Sequence, residues 1–194
     1  KEIATIMGIE QYCLFRIGDA GFPLQQLQFS SPGENKFPNA DTGKLLQPSE
    51  WYHVAVVYDT EKKTAVIYVD GREQSRIEDY GNGEPVNLGK QTRGKDFMFK
   101  IGHSYGDPDY MERQLDGEIC EVRVWNVARS QQEIFDNMYN IEDPANTPGL
   151  QAYWKFNEGE GDIAKDYTGH GNDAKAYVKA TWPAGIEVTQ KNKE

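Results

Sequence analysis

The sequence predicts an all-β sandwich with one short helix. Three observations carry that prediction. The segment Trp51–Arg72 holds two long strand-like runs whose faces are both apolar or aromatic. About ten short strand-like runs are separated by Gly, Pro and Asx turn signals. A lone capping box near Ser130 opens one helix.

Ile3–Ile6 is the first run, with Met7-Gly8 as its turn, and Gln11–Ile17 follows, closed by Gly18-Asp19-Ala20-Gly21. Leu24–Ser30 alternates Leu24, Gln26 and Gln28 against Gln25, Leu27 and Phe29, as a strand does. Ser31–Gly43 reads as a loop. In the next run Trp51, His53, Ala55 and Val57 share one face, and Tyr52, Val54, Val56 and Tyr58 the other. Neither face suits bulk water, so this strand is expected inside a layered structure. Thr64–Asp70 repeats the pattern and ends in Asp70-Gly71, a pair that tolerates the positive φ of a tight hairpin turn.

Val86–Leu88, Phe97–Ile101 and Glu118–Trp125 are the next runs, with Ser104–Arg113 as a loop. Ser130 and Glu133 have capping-box spacing, and Ile134 and Met138 are expected on one helical face. Leu150–Phe156, Ala174–Ala180 and Ile186–Thr189 complete the strand set. The expected organisation is one sandwich domain over residues 1–189 and a polar tail over 190–194. The chain opens on Lys1-Glu2-Ile3, already strand-like and without a Met, so it is expected to be a domain of a longer precursor.

Composition excludes some partners. Lys and Arg number 21 against 31 Asp and Glu, a formal charge of -10. Nucleic acid and anionic membrane surfaces call for clustered cations and are not expected. No apolar run approaches the roughly 20 residues of a spanning helix, so no membrane insertion is expected. Cys13 and Cys120 lie in strand-like runs and are expected as two buried thiols, one disulfide being the alternative.

Three blocks resemble a known family: WYHVAVVYD with IYVDG at Trp51–Gly71, LDGEICEVRVWNVARSQQEI at Leu115–Ile134, and LQAYWKFNEGEGDIAKDYTGHGNDA at Leu150–Ala174. In content and order they resemble the laminin-G-like, pentraxin-like domains of the concanavalin A-like lectin/glucanase superfamily. The block Thr5–Asp19 looks like the version carried by multidomain surface proteins of gut Bacteroidetes. The resemblance implies an all-β, two-sheet antiparallel jelly-roll sandwich with one short helix, whose first strand lies upstream of residue 1. It also implies a secreted or cell-surface location, and sugar binding on the concave sheet or its rim loops, often with calcium. Trp51, Trp125 and Trp154 fall in these blocks and read as core.

Glycoside hydrolysis needs two carboxylates across one bond. Glu118 and Glu121 are three apart on a strand, hence on opposite faces, and Glu158-Gly159-Glu160 is a loop. No Gly-x-Ser-x-Gly elbow occurs, and apolar strands raise a thiol pKa. The expected function is therefore non-catalytic: carbohydrate binding or surface interaction, with a spacer domain as the alternative and a divergent glycosidase further off. The expected partners are a glycan and a neighbouring domain of the same precursor. Sugar contact is expected from Tyr105, Asp107, Tyr110 and Arg113, or from Tyr80 and Asn82, because tyrosine platforms beside planar polar groups suit sugars. Tyr12, Arg16 and Gln28 are candidates for a concave face. Calcium prefers loop oxygens, and Asp166, Asn172 and Asp173, or Asp107 and Asp109, are the candidate ligands.

Overall fold

A computed structural model describes residues 4–18, 26–32, 46–92, 97–104, 113–177 and 179–183. The elements are β1 (Ala4–Ile9), β2 (Cys13–Ile17), β3 (Leu27–Ser30), β4 (Val54–Asp59), β5 (Thr64–Val69), β6 (Arg72–Ile77), β7 (Lys100–Ile101) and β8 (Val122–Trp125). Then come α1 (Gln131–Asp136), a 3-10 turn (Pro144–Asn146), β9 (Leu150–Trp154), β10 (Ile163–Ala164) and β11 (Ala174–Lys175). The chain forms two compact units. One comprises Lys1–Gly117 with Ser130–Phe135; the other comprises Glu118–Arg129 with Asp136–Glu194.

The first unit holds two antiparallel sheets, ordered β3-β2-β1-β7 and β4-β5-β6. One core joins them: Cys13, Phe15, Leu27 and Phe29 from the first sheet with Ala65, Ile67 and Val69 of β5, and with Tyr80. The other face of β5, Val66 and Tyr68, packs with Ile134 of α1. β5 is thus buried along its whole length, which explains why its sequence is apolar on both faces. Burying each such Val or Ile contributes about 1.5–3 kcal/mol.

The Asp70-Gly71 turn forms as expected, with φ of 49° and 69°. Asp70 also closes the hairpin from the side. Its Oδ1 accepts from the His53 amide at 2.9 Å, and its own amide donates to the His53 carbonyl at 2.8 Å. β6 follows, a strand the sequence does not announce because Arg72–Ile77 is polar and charged. It is an edge strand, where charge blocks pairing with other chains.

Several expectations are corrected. Met7-Gly8 lies inside β1, which bulges between Thr5 and Met7; the turn is at Glu10–Tyr12, with Gln11 at φ 59°. Gly8 is required there because a Cβ would stand 2.1 Å from the Cys13 carbonyl oxygen. Trp51 precedes β4 and is 46% exposed, so it is not core. Val86–Leu88 is not a strand; Val86 packs on the core from a loop. α1 stops at Asp136, so Met138 lies beyond it. The Ile186–Thr189 run and residues 190–194 lie outside the described residues.

In the second unit β8 pairs with β9 and β10 with β11. Ile141, Leu150 and Tyr153 form its core, with Trp125 and Tyr167 packed against it. Trp154 is buried as expected. Both cysteines are free thiols, and only Cys13 is fully buried. Among the described residues no helix is long and apolar enough to cross a membrane.

Candidate functional site

Paired residues of antiparallel strands share a face. Thr5 of β1 stands opposite Arg16 of β2, which stands opposite Gln28 of β3. These three form a polar row on the face opposite Phe15 and Phe29. The row is buried, and Arg16 Nε donates to Gln28 Oε1 at 2.6 Å. A chain of side-chain bonds continues from it. Thr5 Oγ1 donates to Ser104 Oγ at 3.0 Å, and Ser104 Oγ donates to Glu10 Oε2 at 2.8 Å. Arg113 NH1 donates to both Glu10 oxygens at 3.2 and 3.3 Å. The Thr5 amide donates to the Arg113 carbonyl at 2.9 Å, and the Leu115 amide to the Gly102 carbonyl at 2.8 Å.

Glu10 therefore ties together Ser104 and Arg113, the two residues that bracket segment 105–112. It is buried, so its charge needs these donors. Sequence reasoning missed Glu10, Ser104 and Thr5. The available signal was polar residues at alternate positions in otherwise apolar strands; nothing local pairs Glu10 with Arg113.

Tyr12, also a candidate, lies in the turn before β2. Its hydroxyl accepts from the Asn87 amide at 3.1 Å, and the Lys90 ammonium lies 4.3 Å from its ring centroid. Tyr105, Asp107, Asp109 and Tyr110 lie outside the described residues. Tyr80 is corrected: it is fully buried against Phe29 and Tyr58, at ring distances of 6.1 and 5.7 Å, and cannot stack on a sugar. Asn82 is exposed, with its Oδ1 accepting from the Glu84 amide at 3.0 Å in an Asx turn.

In the second unit Asp166 is the centre of a closed turn. Its Oδ1 accepts from the Thr168 hydroxyl at 2.7 Å and from the amides of Thr168 and Tyr153 at 3.0 and 3.1 Å. Its Oδ2 accepts from the Asn172 amide at 3.1 Å. Asp173 Oδ1 takes the Asp166 amide at 2.8 Å, and the Asn172 carbonyl takes the Trp154 indole N–H at 2.8 Å. Calcium needs six to eight oxygens facing one point. Here N–H and O–H donors face the Asp166 carboxylate. No group of three or more His, Cys, Asp or Glu among the described residues is placed to hold a metal.

Burial tends to raise the Asp166 pKa, but the bonds from Thr168, Asn172 and Tyr153 together hold it below the ordinary carboxylate value. Tyr153, Glu121 and Arg123 form another cluster. Tyr153 Oη and Arg123 NH2 both donate to Glu121 Oε2, and Arg123 NH1 donates to the Met138 carbonyl at 3.1 Å. The Tyr153 hydroxyl is pushed up to about 12, first by burial and then by its bond to Glu121. A fully buried phenol shifted that way is a poor nucleophile. Glu121 sits at φ 57°; the cluster holds that strained backbone in place.

The family model for the concanavalin A-like lectin/glucanases superfamily matches residues 3–135. A crystal structure from Bacteroides ovatus ATCC 8483, named "putative carbohydrate binding protein", is similar at a TM-score of 0.72 and 31% identity. The match covers 92% of this chain and 50% of that one, so the chain spans about half the length of that relative. A Clostridium thermocellum S-layer domain-containing protein matches 64% of this chain and 54% of its own, at 21% identity and a TM-score of 0.35. No curated protein matches. On its two-sheet core and its family match, the chain belongs to the concanavalin A-like lectin/glucanases superfamily.

Proposed function

We propose that the chain is a non-catalytic carbohydrate-binding module of a secreted or cell-surface bacterial protein. The observation that carries this reading is the buried polar row Thr5–Arg16–Gln28, continuous through Ser104 and Glu10 with Arg113. A sandwich sheet face with no ligand to meet is ordinarily apolar or solvated. This one is neither: its donors and acceptors are bonded to one another, and through Glu10 they hold the partly exposed Arg113 guanidinium as the group that a hydroxyl-rich ligand can reach. The Bacteroides ovatus relative, described in its name as carbohydrate binding, supports the same reading. Arg113, Tyr105, Asp107 and Tyr110 are the proposed rim contacts, and Arg113 is held by Glu10. Binding is preorganised and involves no covalent step.

A glycan array followed by calorimetry on the 194-residue chain tests this. Binding to at least one glycan is expected, weakened in Arg113→Ala. A chain that folds but binds nothing on the array is a spacer domain instead.

A further inference from the structure

Trp154 of β9 bridges Asp166 in the antiparallel sense, and the Tyr167 amide donates to the Tyr153 carbonyl at 2.9 Å. Tyr153 therefore stands opposite Tyr167, and Lys155 opposite Lys165, with all four side chains on one face. They meet at Tyr167. Its ring centroid lies 6.1 Å from that of Tyr153, 5.0 Å from the Lys155 ammonium and 5.5 Å from the Lys165 ammonium. Its hydroxyl donates to Asn157 Oδ1 at 3.2 Å. Tyr167 and Lys155 are half-buried, whereas Lys165 and Asn157 are exposed.

Both ammoniums sit within the roughly 6 Å over which an aromatic ring attracts a cation. The ring gathers the two charges but does not neutralise them, and like charges held around one ring repel. Among the described residues no carboxylate lies within ion-pair distance of either ammonium. The acids around them are engaged elsewhere. Glu121 accepts from Arg123 and the Tyr153 hydroxyl, and Glu158 Oε1 accepts from the Lys165 amide at 2.9 Å. Asn157 gives its oxygen to Tyr167 and so presents its N–H groups as donors. The face is rich in donors and short of an anion.

We propose that Lys155, Lys165, Asn157 and Tyr167 form a subsite for a uronic acid residue of an acidic polysaccharide. This rests on the carbohydrate-binding reading and adds a contact surface in the second unit. The two ammoniums take the sugar carboxylate, Asn157 donates to an adjacent hydroxyl, and the uncovered part of the Tyr167 ring meets the C–H side of the sugar. The overall charge narrows the ligand. At -10 the chain repels a densely charged polyanion. Charges beyond a Debye length, about 8 Å in physiological salt, are largely screened. A polysaccharide with occasional carboxylates is therefore what two lysines on an acidic protein match.

Affinity electrophoresis of the 194-residue chain tests this. The gels contain glucuronoxylan, gum arabic or pectin, each beside the same polysaccharide with its carboxyls reduced to alcohols. Mobility is read against a gel without polysaccharide. Retardation in at least one acidic gel is expected, about tenfold weaker in the reduced counterpart and in Lys165→Gln. Lys165→Arg, which keeps the charge, should retain it. Lys165 is exposed, so its variants stay readable even if Lys155→Gln misfolds; melting curves identify that case. Retardation that is equal in acidic and reduced gels, or unchanged in Lys165→Gln, overturns the uronate subsite and leaves the carbohydrate-binding reading standing. No retardation in any gel also overturns the subsite, and the glycan array then decides the broader reading by itself.

Discussion

Arg113 and Glu10 stand 103 positions apart in sequence, yet the Arg113 guanidinium lies 3.2 Å from one Glu10 oxygen and 3.3 Å from the other. Glu10 is buried at the turn after β1, and Arg113 is only partly covered. The pair joins the first strand of the sheet to the end of a loop that sequence alone marks as a ligand rim. Glu10 is a buried acid whose partners Ser104 and Arg113 flank segment 105–112 in sequence.

Glu10→Ala should therefore affect stability and ligand affinity together. Ser104 and Arg113 lose their acceptor, at a cost of about 1–3 kcal/mol. Glu10→Gln keeps the shape and one acceptor oxygen and should cost less. Urea unfolding measures both, and equal stability of Glu10→Ala and wild type would remove Glu10 as the anchor.

Asp166 sets a pH dependence. Its folded pKa lies below the ordinary value because the bonds it accepts outweigh its burial. A depressed folded pKa means its stabilisation is complete above the unfolded value near 4 and is lost as pH falls through the lower folded value. Asp166→Asn should melt below wild type at pH 7, and the gap should close as pH falls below the ordinary carboxylate value and through the lower folded one. Adding calcium or a chelator should leave the gap unchanged. A calcium-dependent gap would identify Asp166 as a ligand.

Gly81→Ala should destabilise the first unit by about 1–3 kcal/mol. Gly81 has φ 73°, and a Cβ there would stand 2.3 Å from the Tyr58 hydroxyl oxygen. Tyr58 cannot retreat easily, because its ring packs on Phe29 and Tyr80 at 6.3 and 5.7 Å. Thermal melting checks the direction, and a neutral result would show that the Tyr58 ring yields.

The capping box of α1 is formed in both directions. The Ser130 amide donates to Glu133 Oε2 at 2.8 Å, and the Glu133 amide donates to Ser130 Oγ at 3.3 Å. Ser130→Ala should cost about 1 kcal/mol, and Ser130→Asp, another good cap, should restore most of it. Denaturant titration distinguishes the two.

Burial pushes the Cys13 thiol up to about 12, and burial also raises Cys120 to a lesser degree. The native protein should react slowly with a thiol-directed disulfide reagent at pH 8, Cys13 more slowly than Cys120. Both should react at once in denaturant. Fast labelling of native Cys13 would contradict its burial.

Residue by residue, the sequence was most readable where structure depends on neighbours. The β4–β5 pair, the Asp70-Gly71 turn and the Ser130–Glu133 box each follow from short spacings, and each formed. It misled where a residue's burial depends on distant chain. Tyr80 sits in a Gly- and Asp-rich turn and reads as exposed, yet the turn folds its ring under the sheet beside Phe29 and Tyr58. Trp51 has the reverse history, an aromatic in a family block that lies outside β4 and faces solvent.

What the sequence by itself determined is the class of fold: apolar alternation, turn residues and one cap are local properties, and local sterics and burial decide them. What only the tertiary structure decided is the site. Sheet order β3-β2-β1-β7 aligns Thr5, Arg16 and Gln28, and chain return brings Ser104 and Arg113 to Glu10. The Asp166 turn shows the same division. Its residues suggested a metal loop, but whether carboxylate oxygens face a cation or a ring of N–H groups depends on where Tyr153 and Asn172 lie in space. Hydrogen bonds between residues far apart in sequence leave no periodic trace in it, so they become visible only once the strands are paired.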